Sequence, residues 1–364
     1  MKKISILLLL LLSTTAFAQD NLLLDKPKVD ERVELLSIVF RLADSKEYSS
    51  IRYKTYTDKI ETHFANYKNH KLIRFVKKIR LLNGVGYDAV MKMAFHIDRA
   101  PYFKPLVEFS KTIPEERWGK KNALKFIKLL QQFYVDAQCE EFFKENSEMY
   151  QEVSNRFIPI YNHLDVKWYK DFYGKEPKEK FVIINGLGNG NGNYGGDIVF
   201  QNGERQVYAI MGTWSVDSLG IAKFNLKDYF PTLLHEFNHS FVNYLTEQNR
   251  AELQESGPEL FKEVKDKMKK QAYSEWETMI SEAMVRAAVI KYMKDHKFAK
   301  ADIDKETQQQ LKRGFFWIND LVEELENYDH HRDTYPTLES YMPNIISAYK
   351  KYAEHIGDYT IEKE

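Results

Sequence analysis

The stretch Asp228-Tyr229-Phe230-Pro231-Thr232-Leu233-Leu234-His235-Glu236-Phe237-Asn238-His239-Ser240-Phe241-Val242-Asn243-Tyr244-Leu245 decides how the chain is read. Leu234, Phe237, Phe241 and Leu245 recur at helical spacing and form one apolar stripe, so the segment is an amphipathic helix. Asp228 to Pro231 introduce it, with Pro231 suited to a first turn, where no N–H is needed. Within the helix, His235-Glu236-Phe237-Asn238-His239 sets two imidazoles one turn apart on one face, able to converge on a single zinc ion. A glutamate directly after the first histidine can hold a metal-bound water and take its proton, which makes Glu236 the candidate general base. Such a five-residue run is short enough to arise by accident, so its surroundings must supply the context.

A catalytic zinc ion usually has three protein ligands and one open position. Cys139 is the single cysteine, in a segment helical in pattern, and reads as a buried small hydrophobe; the remaining ligand must be histidine or a carboxylate. Val242 and Leu245 stand where the extended metzincin pattern needs glycine and a third histidine, which excludes that class. The best candidate is Glu282, in a helix where Trp276, Ile280, Ala283, Met284 and Ala287 mark a buried face. An acid near the edge of that face is costly unless paired or metal-bound. Glu277 is the second choice and Glu275 the third, and an ordinary glutamate paired to Arg286 at i+4 is the plain structural alternative.

Upstream, Phe181-Val182-Ile183-Ile184 reads as a short buried strand. A glycine- and asparagine-rich loop follows from Asn185 to Gly196. Asp197 to Phe200 and Arg205 to Met211 are strands joined through Asn202-Gly203, a strong hairpin signal. Val207 to Met211 is either a plain structural strand or an edge strand to which an extended peptide could add. Gly190 to Gly195 formally matches GxGxxG, but a strand rather than a helix follows, which argues against a dinucleotide site. The region from Asp30 to about residue 165 is helical in pattern, with breaks at Asn83 to Gly86 and around Pro101 and Pro105.

The chain of 364 residues balances 53 basic against 53 acidic side chains, so no global field favours nucleic acid or an anionic membrane. Met1-Lys2-Lys3, the apolar run Ile4 to Leu12 and Ala16-Phe17-Ala18 form a signal-peptide pattern with cleavage near Ala18. That run is too short to span a bilayer, and no later one approaches the roughly 18 apolar residues required, so no stable membrane insertion is expected. A mature chain without disulfides fits a bacterial periplasm or exterior.

The two histidines and glutamate of the motif, with Glu282 on a later helix, resemble the gluzincin arrangement of zinc metallopeptidases. The mature chain also looks like an exported bacterial family catalogued as a domain of unknown function, on Val29 to Leu36 and the Asn193-Tyr194-Gly195 loop. The gluzincin resemblance implies Zn2+ on His235, His239 and Glu282, with Glu236 as general base. It departs at Arg286, where many gluzincins carry an aspartate that orients a histidine. An oxyanion donor is commonly a tyrosine or histidine in that fold, and Tyr335, Tyr341, His330 and His331 lie downstream as candidates.

The expected fold is α+β and predominantly helical. A signal peptide (1–18) precedes an N-terminal helical region (19–165) that forms one wall of the cleft, and a zincin-like region (166–364) follows with a small sheet. The expected function is that of an exported, periplasmic or secreted, zinc-dependent hydrolase, a metallopeptidase acting on a peptide or protein substrate. The alternatives are a non-catalytic zincin-like protein binding a peptide or cell-envelope ligand, and a helical interaction protein in which the motif is coincidental.

Overall fold

The computed structural model describes residues 24–175 and 179–357, so the signal-peptide pattern and its cleavage site lie outside the described residues. The architecture is predominantly helical α+β, with one four-stranded sheet enclosed between two helical layers. The first layer is built from α1 (Glu31–Leu42), α2 (Lys54–Phe64), α3 (Lys71–Asn83), α4 (Asp88–His96), α5 (Gly119–Asp136), α6 (Cys139–Glu145) and α7 (Ser147–Tyr161). After α8 (Val166–Tyr173) come the strands β2 (Lys180–Gly186), β3 (Tyr194–Val199) and β4 (Arg205–Gly212). The second layer comprises α9 (Leu226–Gln248), α10 (Arg250–Leu253), α11 (Gly257–Lys270), α12 (Trp276–Asp295), α13 (Lys300–Arg313), α14 (Ile318–His330) and α15 (Leu338–Glu354).

A strand that sequence reading overlooked, β1 (Leu24–Lys28), joins the sheet from the first segment of the chain and pairs in parallel with β2. Its polar composition and Pro27 disguise it, and an edge strand is where a residue without an N–H is tolerated. The order is β1-β2-β4-β3, with β2 and β4 parallel and β3 antiparallel to β4. Gly203, at φ 83°, turns the β3–β4 hairpin after Asn202, as the sequence predicts. That turn places β3 outside β4. The edge-strand expectation for Val207 to Met211 is therefore corrected: β4 is interior, and the sheet's edges are β1 and β3.

Both faces of the sheet are covered, which explains why β2 reads as an unbroken apolar run. Phe181, Ile183, Val207 and Ala209 face the second layer, where Phe181 meets Phe237 of α9 at 4.7 Å between ring centroids. Val182, Ile184, Tyr208 and Ile210 face the first layer, where Tyr208 stacks on Phe95 of α4 at 4.6 Å. The first layer is fastened through Glu34 of α1. Its buried carboxylate accepts hydrogen bonds from Leu187 N at 2.7 Å and Gly188 N at 3.0 Å, gripping the loop that leads into β3. This layer does not form a wall of the cleft as expected, because it is spent on the far face of the sheet.

Two details of the helices differ from the sequence reading. The motif helix starts at Leu226, so Pro231 lies inside it rather than in its first turn. Glu282 sits on no half-exposed edge: α12 is buried on all sides from Met279 to Met293 except at Ser281, packed against α9, α11, α13 and α14. Glu282, Arg286 and Lys291 are buried polar groups within it.

Candidate metal centre

Helices α9 and α12 cross, and the crossing brings His235, His239 and Glu282 together. The apolar stripe of α9 (Leu234, Phe237, Phe241 and Leu245) is buried in the core, which leaves both imidazoles on the side facing α12. Their Nε2 atoms are 3.2 Å apart. Glu282 turns one oxygen to each histidine, with Oε2 3.6 Å from His235 Nε2 and Oε1 3.6 Å from His239 Nε2. These residues form the one group among the described residues with three or more ligating side chains close enough to hold a metal ion.

The spacing fits a small tetrahedral ion. Donors about 2.1 Å from a common centre at tetrahedral angles lie about 3.4 Å from one another, close to the three separations observed. Burial holds His235 well below the usual histidine range, leaving a neutral imidazole with a lone pair to offer. Burial alone would raise Glu282, but the opposing charges of His235, when protonated, and of Arg286 bring the carboxyl to about 2; with His235 neutral, Arg286, whose charge is permanent, is the partner that keeps it ionised. Two imidazoles with one carboxylate are a donor set suited to a divalent metal ion.

A supporting layer orients these groups. Asn243 Oδ1 lies 3.1 Å from His239 Nδ1 and also accepts a hydrogen bond from Ser281 Oγ at 2.7 Å. Arg286 Nη2 donates to Glu282 Oε2 at 2.7 Å and to Tyr273 Oη at 2.8 Å, while its Nη1 donates to Gln310 Oε1 at 3.0 Å. Pairing to Arg286 and approach to the histidines, which the sequence presented as alternatives for Glu282, hold at the same time. Glu277 instead pairs with Arg250 at 2.6 Å, and Glu275 lies just before α12; neither belongs to the ligand group.

Glu236 points from α9 toward β3. A Cβ built on Gly195 would stand 2.5 Å from Glu236 Oε2, so only glycine leaves the carboxylate its place. Burial pushes Glu236 up to about 7, only partly offset by His239. A carboxyl with a pKa near neutrality is well matched to accept and release protons.

Two clefts flank the centre. One, of about 470 Å³, is lined by His235, Glu236, Asn193, Arg286 and residues of α13 that include Arg313. The other, of about 650 Å³, is lined by His239, Glu282, Trp276 and Glu275. The downstream oxyanion candidates Tyr335, Tyr341, His330 and His331 line neither cleft, and Tyr341 Oη instead donates to Glu324. Tyr273 and Arg313 have no local pattern to mark them; Asn243 carried the signal of its i+4 spacing from His239, and Gly195 entered the sequence reading only as part of a loop.

The chain belongs to the family described as a domain of unknown function, DUF4932, which it matches over residues 27–348. No curated protein and no solved structure matches it.

Proposed function

We propose that the protein is an exported zinc-dependent hydrolase, a metallopeptidase of gluzincin type that cleaves peptide bonds. The observation that carries this reading is the spacing of His235, His239 and Glu282, which suits tetrahedral coordination, with Glu236 beside them on the same helix. Zinc held there would supply Lewis acidity, lowering the pKa of a water and polarising a substrate carbonyl. The chain's own part is to place Glu236 so that it accepts the water's proton and returns it to the leaving amine. The edge strand β3 passes over Glu236 at Gly195, and an extended peptide could add to the sheet there. Export rests on the residue 1–18 pattern, and among the described residues no helix is long and apolar enough to cross a membrane.

A second reading, a non-catalytic zincin-like protein that binds a peptide or envelope ligand, draws on the Arg286–Glu282 ion pair at 2.7 Å, since that cation competes with a metal for the carboxylate. Zinc per chain is the first measurement, made by elemental analysis of the mature protein beside a His235→Ala/His239→Ala variant. About one zinc per chain, lost in the variant, is expected; a metal-free wild type after incubation with zinc refutes both readings. Peptide hydrolysis that falls about 100- to 10,000-fold in Glu236→Gln with zinc retained supports the enzyme. Zinc without hydrolysis of any peptide in the wild type supports the binding protein.

A further inference from the structure

We infer that Arg313, joined to Arg286 through Gln310, forms a carboxylate-binding subsite at one end of the cleft beside His235, and that the substrates are peptides carrying a carboxylate close to the bond cleaved. The inference rests on the hydrolase reading for the word substrate, but the subsite itself does not.

Charge accounting within the 470 Å³ cleft singles out the two arginines. Lys227 is paired with Asp302 at 2.8 Å and Lys305 with Asp228 at 3.2 Å, so these four side chains cancel. Glu306 accepts a hydrogen bond from the neutral amide of Gln310 and keeps its charge, which faces the arginines without an ion-pair contact within 4.0 Å among the described residues. Arg313 is exposed to the cleft, and among the described residues no carboxylate comes within 4.0 Å of it. Its guanidinium reaches Gln310 Oε1 at 3.5 Å, the same oxygen that accepts Arg286 Nη1 at 3.0 Å. Two permanent cations therefore meet at one neutral oxygen.

Arg286 has a single carboxylate partner, Glu282, and that carboxylate also faces both histidines. A divalent ion at the histidines would draw on the same negative charge. One carboxylate would then serve a metal ion and Arg286, while Arg313 has Glu306 nearby in the cleft but, among the described residues, no carboxylate in contact with its guanidinium. A carboxylate entering from the cleft supplies the direct contact that Glu306 does not make, and the planar guanidinium donates two parallel hydrogen bonds to it. The opposite flank has the reverse character: Glu247 and Glu275 line it without a cation within 4.0 Å among the described residues, and Glu277 is already held by Arg250. An acidic group is thus repelled from one side of the centre and received on the other, which gives a bound peptide a direction.

The carboxylate can come from a free C-terminus or from an acidic side chain, and matched peptides separate the two. The zinc-loaded mature protein is given one peptide as free acid, as C-terminal amide, and as an amide with an internal glutamate. A preference of about tenfold or more in kcat/KM for a carboxylate-bearing peptide over the plain amide is expected, the scale of one charge-assisted hydrogen bond. Whichever of the two is preferred identifies the source. In Arg313→Gln that preference should fall to within about twofold, with Arg313→Lys intermediate; circular dichroism checks that both variants fold.

A readout independent of turnover is the binding of N-acetyl-leucine, compared with its amide, to zinc-loaded and metal-free Glu236→Gln protein by calorimetry. The acid should bind more tightly, and Arg313→Gln should remove the difference. If no peptide is cleaved but this difference is seen, the subsite stands and the hydrolase reading falls. If peptides are cleaved with no carboxylate preference, or with one that Arg313→Gln leaves intact, the subsite is overturned and the hydrolase reading stands.

Discussion

Arg286 Nη2 lies 2.7 Å from Glu282 Oε2, one helical turn away, in a helix with almost no exposed face. The pair is buried together, so each charge depends on the other for compensation. Replacing Arg286 with methionine leaves Glu282 buried without its cation. We expect the metal-free protein to lose about 3–5 kcal/mol of stability, the usual scale for breaking a buried pair from one side. Zinc would then compensate Glu282, so the loss should shrink when metal is added. Urea unfolding with chelator and with zinc measures both numbers, and equal losses in the two conditions would count against Glu282 as a ligand.

Asn243 holds His239 from behind at 3.1 Å and is itself held by Ser281. Asn243→Ala should weaken zinc binding by about 10- to 100-fold, the range seen when a ligand's hydrogen-bond partner is removed. Asn243→Asp retains the acceptor and should keep most of the affinity. Competition with a chromophoric chelator reads both values.

Gly195→Ala inserts a Cβ 2.5 Å from Glu236 Oε2, so the carboxylate has to move. Displacement of a catalytic group by about 1 Å can cost about 100-fold in rate, and we expect a loss of that order in peptide hydrolysis. Zinc content should not change, because Gly195 lies on β3 and the ligands lie on α9 and α12. A parallel loss of zinc would show that the substitution disturbs the whole centre.

Glu34 is fully buried, and burial raises its carboxyl to about 7, against the opposing pull of the Leu187 and Gly188 amides and Tyr56. The native state therefore binds a proton more tightly than the unfolded chain, whose carboxyl titrates near 4.5. Stability conferred by the protonated form is fully present below that value. It is lost as pH rises from about 4.5 to about 7 and levels off above, for a total of about 3 kcal/mol. Unfolding measured across this window should show that decline in the wild type, and Glu34→Gln should flatten it. A variant with the same slope as the wild type would remove Glu34 from the account.

Local pattern made several features readable. The strand run from Phe181 to Ile184, the hairpin at Asn202-Gly203 and the amphipathic motif helix follow from the periods of helix and strand and from turn chemistry. The two-histidine pair was legible for the same reason, since i and i+4 on a helix are neighbours whatever the rest of the chain does. Strand order was not legible. Val207 to Met211 could have been edge or interior, and β1 with its Pro27 does not look like a strand until β2 stands beside it.

The sequence by itself determined the chemistry available: which helix carries the histidines and Glu236, that no second cysteine exists to serve as a ligand, and which acids lie downstream as candidates. Tertiary structure decided which of those acids arrives. Glu275, Glu277 and Glu282 share one short stretch, yet only Glu282 meets the histidines, because the crossing of α9 over α12 selects one face of the second helix and turns Glu277 toward Arg250. Asn243 came with His239, four residues on along α9, but the contact between α9 and α12 set Ser281 against it, and α13 brought Gln310 and Arg313 up to Arg286. Local spacing is set by backbone geometry and can be read residue by residue. The meeting of distant side chains is set by how buried faces pack, which no single segment encodes.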